Sequence, residues 1–399
     1  MLNSKNVCLI MPTFFYKNPR SIRIAKALSD EGYNLDIICF GDKSFNKKDY
    51  IEIKNVNVYP VDVERKKGGK LRYFWEYFLF SIFVFYKLIW LFSIKRFWLI
   101  HVNNPPDTLV FTTIFHKLFF KVRVILDISE PLSKSFAKKF GNEKSPLLIL
   151  LDKIQLLATQ YSDSVITVSE AFKRELLRIG VDEDKITILP NSPDTTFYKK
   201  NNNNFKKSDL GFDDRYIVLY QGTVSKERGI DILVDAVKSL KKQIPNILGV
   251  IVGGGSQLED IKSKVKEENL EKYFYITGQV PPSEVPKYVA IADICLLMAL
   301  KIPVYELYSP DKLFEYMIYK KLIIAPKLQG ILDITGEDGV PLYNPGDPKD
   351  LADKILQLKD DTHDNYLKKS ELIYEKYKWD TTKMNMINCY KNLKEDIKK

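Results

Sequence analysis

At about 100–200 residues per domain, a chain of 399 residues holds two domains of ordinary size. Its 45% hydrophobic and 28% charged residues exclude a disordered chain, a collagen-like fibre and a small disulfide scaffold. The net charge of +10 is uneven: residues 1–198 hold 29 Lys+Arg against 21 Asp+Glu, and the remainder 32 against 30, so the first half suggests an anionic partner such as phosphate, a membrane surface or nucleic acid, with plain solubility as the simpler account. The start, MLNSKNVCLIMP, has one lysine before a short apolar run ending at Pro12. It is too short for a secretory h-region and reads as a first strand at 7–11, which implies a cytoplasmic chain. Cys8, Cys39 and Cys295 sit in apolar runs and read as core thiols of a reducing compartment. Three histidines and no clustered cysteines leave little material for a zinc site.

A helix is predicted at 21–32, ending at Gly32, then strands at 35–40 and 56–61. Residues 71–100 contain thirteen aromatics in thirty positions. Glu76, Lys87, Lys95 and Arg96 cut this segment into apolar pieces of ten and seven residues, short of the ~20 that a spanning helix needs. Two readings stand: a buried helix under a sheet, or an interfacial helix whose Trp and Tyr lie at headgroup depth while Lys66, Lys67, Lys70 and Arg72 meet anionic lipid. Strands follow at 97–102, 122–128 and 164–169, with helices at 107–120, 147–160 and 170–179. This alternation predicts a parallel sheet with right-handed crossovers, a doubly wound domain over residues 1–198.

The polar run Asn201–Asn204 marks the expected joint, and the pattern restarts after it. Strands at 215–222, 248–255, 273–278, 293–299, 322–326 and 340–344 alternate with helices at 230–243, 257–268, 282–292 and 311–320, giving a second α/β domain over 205–379. Two such sheets are expected to enclose an interdomain cleft at the carboxyl ends of their strands. The last helix, 380–399, can cross back to the first domain.

In LYSPDKLFEYM (307–317), Ser309 suits an N-cap and Pro310 the first helical position, so the amides there, with Lys312 beside them, make an anion site. Glu315 lies about one turn further in, where a carboxylate can accept from paired hydroxyls; the plainer account is a capped helix with a solvated Glu. In LYQGTVSKERGIDIL (219–233), Gly222 ends a strand where a ligand can approach the backbone, and Arg228 offers a fork of donors to a diphosphate. The GGG at 253–255 lacks the dinucleotide spacing and reads as a tight turn.

Together with DSVITVSEAFKREL, LPNSPDTTFY, GVIVGGGS, YITGQVPPSEVPKYVAIADICLL and the terminal WD at 379–380, these segments resemble the family-4 glycosyltransferases. Those are retaining nucleotide-sugar enzymes with two facing Rossmann-like domains, the GT-B fold. The resemblance implies a metal-independent hexosyl transfer with no cofactor beyond the nucleotide-sugar donor. It places the donor along Gly222, Thr223 and Arg228 and along Ser309, Pro310, Asp311, Lys312, Leu313 and Glu315, with Glu315 on the ribose and Arg228 on the diphosphate. Thr223 stands where the family usually has a second basic residue, for which Lys226 or Lys312 can substitute. The family's sugar-binding carboxylate would fall at Leu307, with Glu306 one residue off. In LDISE (126–130), Ser129 replaces a usual His, and Glu130 is expected to face the cleft as acceptor base or sugar ligand, with Asp127 capping the strand end. His101 is expected in the core or behind the site, Asp107 as a helix cap, and Arg20 or Arg23 reaching the diphosphate. Arg228, Lys312 and the helix amides would stabilise the leaving diphosphate. The acceptor is expected to be a glycan or lipid-linked saccharide, and the enzyme to sit peripherally on an anionic inner membrane face. Alternatives are a nucleotide-sugar epimerase of the same shell and a non-catalytic relative; a nucleic-acid binder lacks any motif and is not expected.

Overall fold

The computed structural model describes residues 2–41, 53–62, 70–140, 145–194, 205–360 and 364–395. The chain divides into two units, Met1–Asn191 with Thr382–Lys399, and Ser192–Thr381. The division thus falls ahead of the Asn201–Asn204 run, which lies outside the described residues, as do Lys66 and Lys67.

In the first unit, β1 (Asn3–Met11), β2 (Asn34–Phe40), β3 (Val56–Val61), β4 (Phe97–Asn103), β5 (Arg123–Ile128), β6 (Ser164–Thr167) and β7 (Ile186–Ile188) form one parallel sheet. The order is β3-β2-β1-β4-β5-β6-β7. Central strands are apolar on both faces because helices cover both faces, which is why VCLIM shows no alternation. The unpredicted β7 is a three-residue, half-buried edge strand, too short to announce itself. From β3 onward the chain steps across the sheet in one direction, and right-handed crossovers then put the connecting helices on one face. Contacts agree: Phe92 meets Phe120 at 4.6 Å, Phe74 meets Phe136 at 5.8 Å, and Gln155 donates to Asp107 at 2.9 Å. From Thr382 on, the helix Trp379–Glu395 belongs to this unit, with Tyr390 fully buried beside Tyr33 (5.8 Å) and Trp98 (6.4 Å).

The aromatic segment is one continuous helix, Lys70–Lys95, rather than two apolar pieces. Its charges do not interrupt it. Glu76 is buried and paired with Arg72 at 3.0 Å, and the Lys87 ammonium rests 4.0 Å from the Trp90 ring centre and 4.5 Å from that of Tyr59. Within Phe74–Lys95 an eighteen-residue stretch has a mean hydropathy of 1.9, so the helix is long and apolar enough to cross a membrane by length and composition. Yet Tyr77, Phe80, Val84, Leu88 and Leu91 are buried in the unit. Withdrawing that face would cost on the order of 10 kcal/mol. Of the two readings made from sequence, the core helix describes that face; the opposite face, with Trp75, Phe78, Phe83 and Trp90, is apolar and exposed.

In the second unit, β8 (Tyr216–Gln221), β9 (Ile247–Val252), β10 (Phe274–Gly278), β11 (Ile294–Leu296), β12 (Leu322–Pro326) and β13 (Leu342–Tyr343) form a parallel sheet ordered β10-β9-β8-β11-β12-β13. Alternation along β8 sends Ile217 and Leu219 into one apolar cluster and Val218 and Tyr220 into the other, so both faces are sealed. Each sheet reverses its strand order once, at β1/β4 and at β8/β11, and the carboxyl ends there open the crevices where α/β sheets take ligands.

Candidate functional site

At the β8/β11 reversal, Gly222 leaves the strand with φ +134°, and a Cβ there would fall 2.5 Å from the Lys312 Nζ. A Cβ on Gly253 would fall 1.9 Å from the Gly222 carbonyl oxygen, so two glycines let the ends of β8 and β9 press together beneath the lysine. Arg228 closes the short turn Lys226–Arg228, and Gly229 (φ +63°) redirects the chain into the helix Ile230–Leu240. The Arg228 guanidinium is held over Tyr305 at 4.6 Å and Tyr308 at 5.3 Å and donates to the Met298 carbonyl at 3.4 Å. On the helix Asp311–Ile318, Leu313, Phe314, Tyr316 and Met317 anchor one face in the core, which leaves Lys312 and Glu315 half-buried. Gln221 Nε2 donates to Glu315 Oε2 at 2.9 Å and fixes that carboxylate.

Arg228 and Lys312 line one crevice with Tyr220, Met298 and Tyr308, narrow enough for a single water at about 10 Å³. Burial, and then the Arg228 charge, lower the proton affinity of the Lys312 amine, with Glu315 and Asp311 opposing. An arginine that depresses a neighbouring lysine in a half-dry crevice marks an excess of positive charge there, an arrangement suited to an anion at its mouth.

Several expectations need correction. Pro310, not Ser309, occupies the N-cap, no side chain caps the helix, and the helix proper begins at Asp311. Ser309 is buried. Thr223 is exposed and contributes its carbonyl to the Tyr220 hydroxyl at 2.8 Å. Glu306 accepts from the Gln329 amide at 2.8 Å, capping the helix Gln329–Thr335, and meets Lys301 at 3.5 Å. Those two contacts fix the position of the Glu306 carboxylate.

At the carboxyl edge of the first sheet, Arg20 is held within its own unit. Its Nε and Nη2 hold Asp127 at 2.9–3.3 Å, and its Nη1 donates to the Leu189 carbonyl and the Asn191 side chain, both at 2.9 Å. These bonds orient the guanidinium on Asp127 and tie it to the chain that follows β7. Arg23 is buried in its helix. Asp127 is the hub of a buried network, also accepting from Asn103 at 2.9 Å and lying 3.7 Å from His101, whose other nitrogen meets the Tyr390 hydroxyl at 2.7 Å. Asp107 is not a cap but a buried carboxyl that receives Asn104 (3.0 Å) and Gln155 (2.9 Å). Glu130 stands exposed at the same edge, its carboxylate accepting from Ser135 at 2.9 Å and its carbonyl from Asn104 at 2.6 Å.

Sequence reasoning missed Gln221, Tyr305, Tyr308, Asn104 and Tyr390. Gln221 had a signal, since a polar residue ending an apolar strand just before Gly222 sits at a sheet mouth. Tyr390 had none: it lies 289 residues from its partner His101.

Comparison with known proteins adds to this geometry. The family profile described as Glycosyl transferases group 1 matches residues 201–379, and that described as Glycosyltransferase Family 4 matches residues 21–197. An uncharacterized glycosyltransferase of Methanocaldococcus jannaschii is 22% identical over 92% of each chain. A lipopolysaccharide 1,2-N-acetylglucosaminetransferase of Salmonella typhimurium is 24% identical over 58% of this chain and 63% of its own. Among solved structures, Anabaena HepE in complex with UDP superposes with a TM-score of 0.70 at 15% identity, over 98% of this chain and 99% of its own, a likeness of fold. Both units therefore have the Rossmann-like sheets of GT-B glycosyltransferases.

Proposed function

The chain belongs to the family-4 glycosyltransferases, and from that premise we propose that it moves a hexosyl group from a nucleotide diphosphate-sugar to an acceptor hydroxyl with retention of configuration. The single observation that carries this is the convergence of Arg228 and Lys312 on one crevice, with Glu315 on the same helix as the lysine. A diphosphate at the mouth supplies the missing anion. Glu315, oriented by Gln221, accepts from the two ribose hydroxyls. As the bond from the anomeric carbon to the diphosphate breaks, charge grows on the leaving oxygen, and the two cations stabilise it where little water competes. We assign the charge compensation to these side chains, without a metal or other cofactor. The acceptor oxygen bonds the anomeric carbon on the same face, and its proton passes to the departing phosphate. To the first unit we assign acceptor binding, through Glu130 at the carboxyl edge of its sheet.

The acceptor class we favour is a glycan or lipid-linked precursor, reached at the inner face of the plasma membrane by a peripherally bound enzyme. The likeness to a lipopolysaccharide glycosyltransferase and the basic first half support it. Calorimetry with UDP, GDP and ADP and their sugars tests the donor site. Glu315→Ala and Arg228→Ala are each expected to weaken binding at least about tenfold, equivalent to about 1.4 kcal/mol, with the fold intact. Unchanged affinity in both variants rejects the placement.

A further inference from the structure

Among the described residues, twenty large hydrophobic side chains stand exposed, and seventeen of them lie on three consecutive crossovers of the first unit. Ten are on Lys70–Lys95, four on Ile114–Phe120 and three on Pro146–Tyr161. These crossovers share one face of the sheet, and the Phe92–Phe120 contact at 4.6 Å joins the first two directly. From Phe74 to Ile94 the exposed positions recur at helical spacing and carry no charged residue. That is an oily stripe roughly 30 Å long. Soluble surfaces rarely leave so much contiguous apolar area uncovered.

We propose that this three-helix face rests on an anionic bilayer, with Lys70–Lys95 lying in the plane of the membrane rather than across it. The helix cannot span, because its opposite face is the core of the unit. Charge selects a bilayer over a second copy. Cations bound the apolar area: Lys87 over Trp90, and Arg96 over Phe92 (5.1 Å) and Phe120 (5.8 Å), with Lys95 and Lys121 beside them in the chain. Such side chains lay their stems on apolar surface and lift their charges to the headgroups. A net of +8 over residues 1–198 repels another copy and attracts acidic lipid. Exposed Trp75, Tyr86 and Trp90 are the side chains suited to headgroup depth. The stripe also reaches the carboxyl edge of the sheet, where Phe40 at the end of β2 meets Phe80 at 4.4 Å and Phe74 meets Phe136, just after Glu130. Resting on the proposed transfer reaction, this makes the acceptor an amphiphile whose tail stays in the bilayer while its headgroup reaches Glu130.

The test is flotation of the full chain with vesicles of phosphatidylcholine, with and without phosphatidylglycerol. Two variants accompany it, the triple Trp75→Gln, Phe78→Gln, Phe83→Gln and the double Leu118→Gln, Phe119→Gln. Wild type is expected to float with the anionic vesicles and each variant to lose most of that binding, while UDP affinity stays unchanged. No flotation of wild type, or equal flotation by both variants, overturns the proposal. So does a dimer, seen by light scattering, that the triple variant dissociates, because the face then belongs to a second copy. Quenching of Trp75 and Trp90 by lipids brominated near the bilayer centre, but not by those brominated near the headgroup, overturns the in-plane orientation. A chain that floats yet binds none of UDP, GDP or ADP overturns the donor reading and leaves the docking surface standing.

Discussion

Asp107 and Asp127 are both fully buried at the same edge of the first sheet, yet their proton affinities move in opposite directions. Burial raises Asp107 to about 6, because Asn104 and Gln155 offer it only neutral amide donors. Burial also raises Asp127, but the Arg20 charge, with His101 assisting, outweighs it and brings that carboxyl down to about 2. The raised group binds its proton more tightly when folded, so its contribution to stability is complete below the usual carboxylate range, near pH 4. It is lost as the pH rises through about 6. Asp127 loses its contribution only as the pH falls toward 2, outside this window. His116, lowered by burial to about 4, gives the opposite slope within the window, so the contrast must be drawn against wild type. Asp107→Asn is expected to gain on wild type by on the order of 2–3 kcal/mol between pH 4 and pH 7, read from denaturant unfolding at each pH. A difference that does not change with pH would remove the buried carboxylate from the account.

Within Lys70–Lys95 the side chains have two destinations that composition alone does not distinguish. Phe80 is fully buried, and Phe83, three residues on, is 53% exposed. Phe80→Ala is expected to destabilise the protein by about 3–5 kcal/mol, whereas Phe83→Ala should fall within about 0.5 kcal/mol of wild type. Chemical denaturation of both variants decides whether the faces are assigned correctly. The aromatic content was legible in the sequence, but both faces of the helix are apolar, so periodicity carried no phase to say which turns inward. Elsewhere the strands were legible because runs such as VCLIM and LIIAP are buried on both sides. The 311–318 helix was legible from its punctuation and its start was placed correctly, although the cap was assigned to Ser309 rather than to Pro310. The engagement of Glu306 was not legible for a different reason: its partner, the Gln329 amide, lies 23 residues away and leaves no mark near it.

Across the whole chain, two doubly wound units follow from the strand–helix alternation, and the restart after residue 204 was visible in the sequence. What was not visible is how the last helix, expected to cross back, is built into the first unit. Residues 382–399 complete it, with Tyr390 buried against Tyr33 and Trp98 and bonded to His101, which in turn lies beside Asp127. The second unit, Ser192–Thr381, is a single stretch with two apolar clusters of its own. Expressed separately, Ser192–Thr381 is expected to unfold cooperatively on heating, whereas Met1–Asn191 alone should lack a sharp transition and recover one when a peptide of residues 379–399 is added. A sharp transition in Met1–Asn191 without the peptide would show the last helix to be dispensable. The arrangement also sets an order on the ribosome. The unit begun first must wait, with a gap where Tyr390 belongs, until residues 382–399 emerge, so the unit begun second is the first able to finish folding.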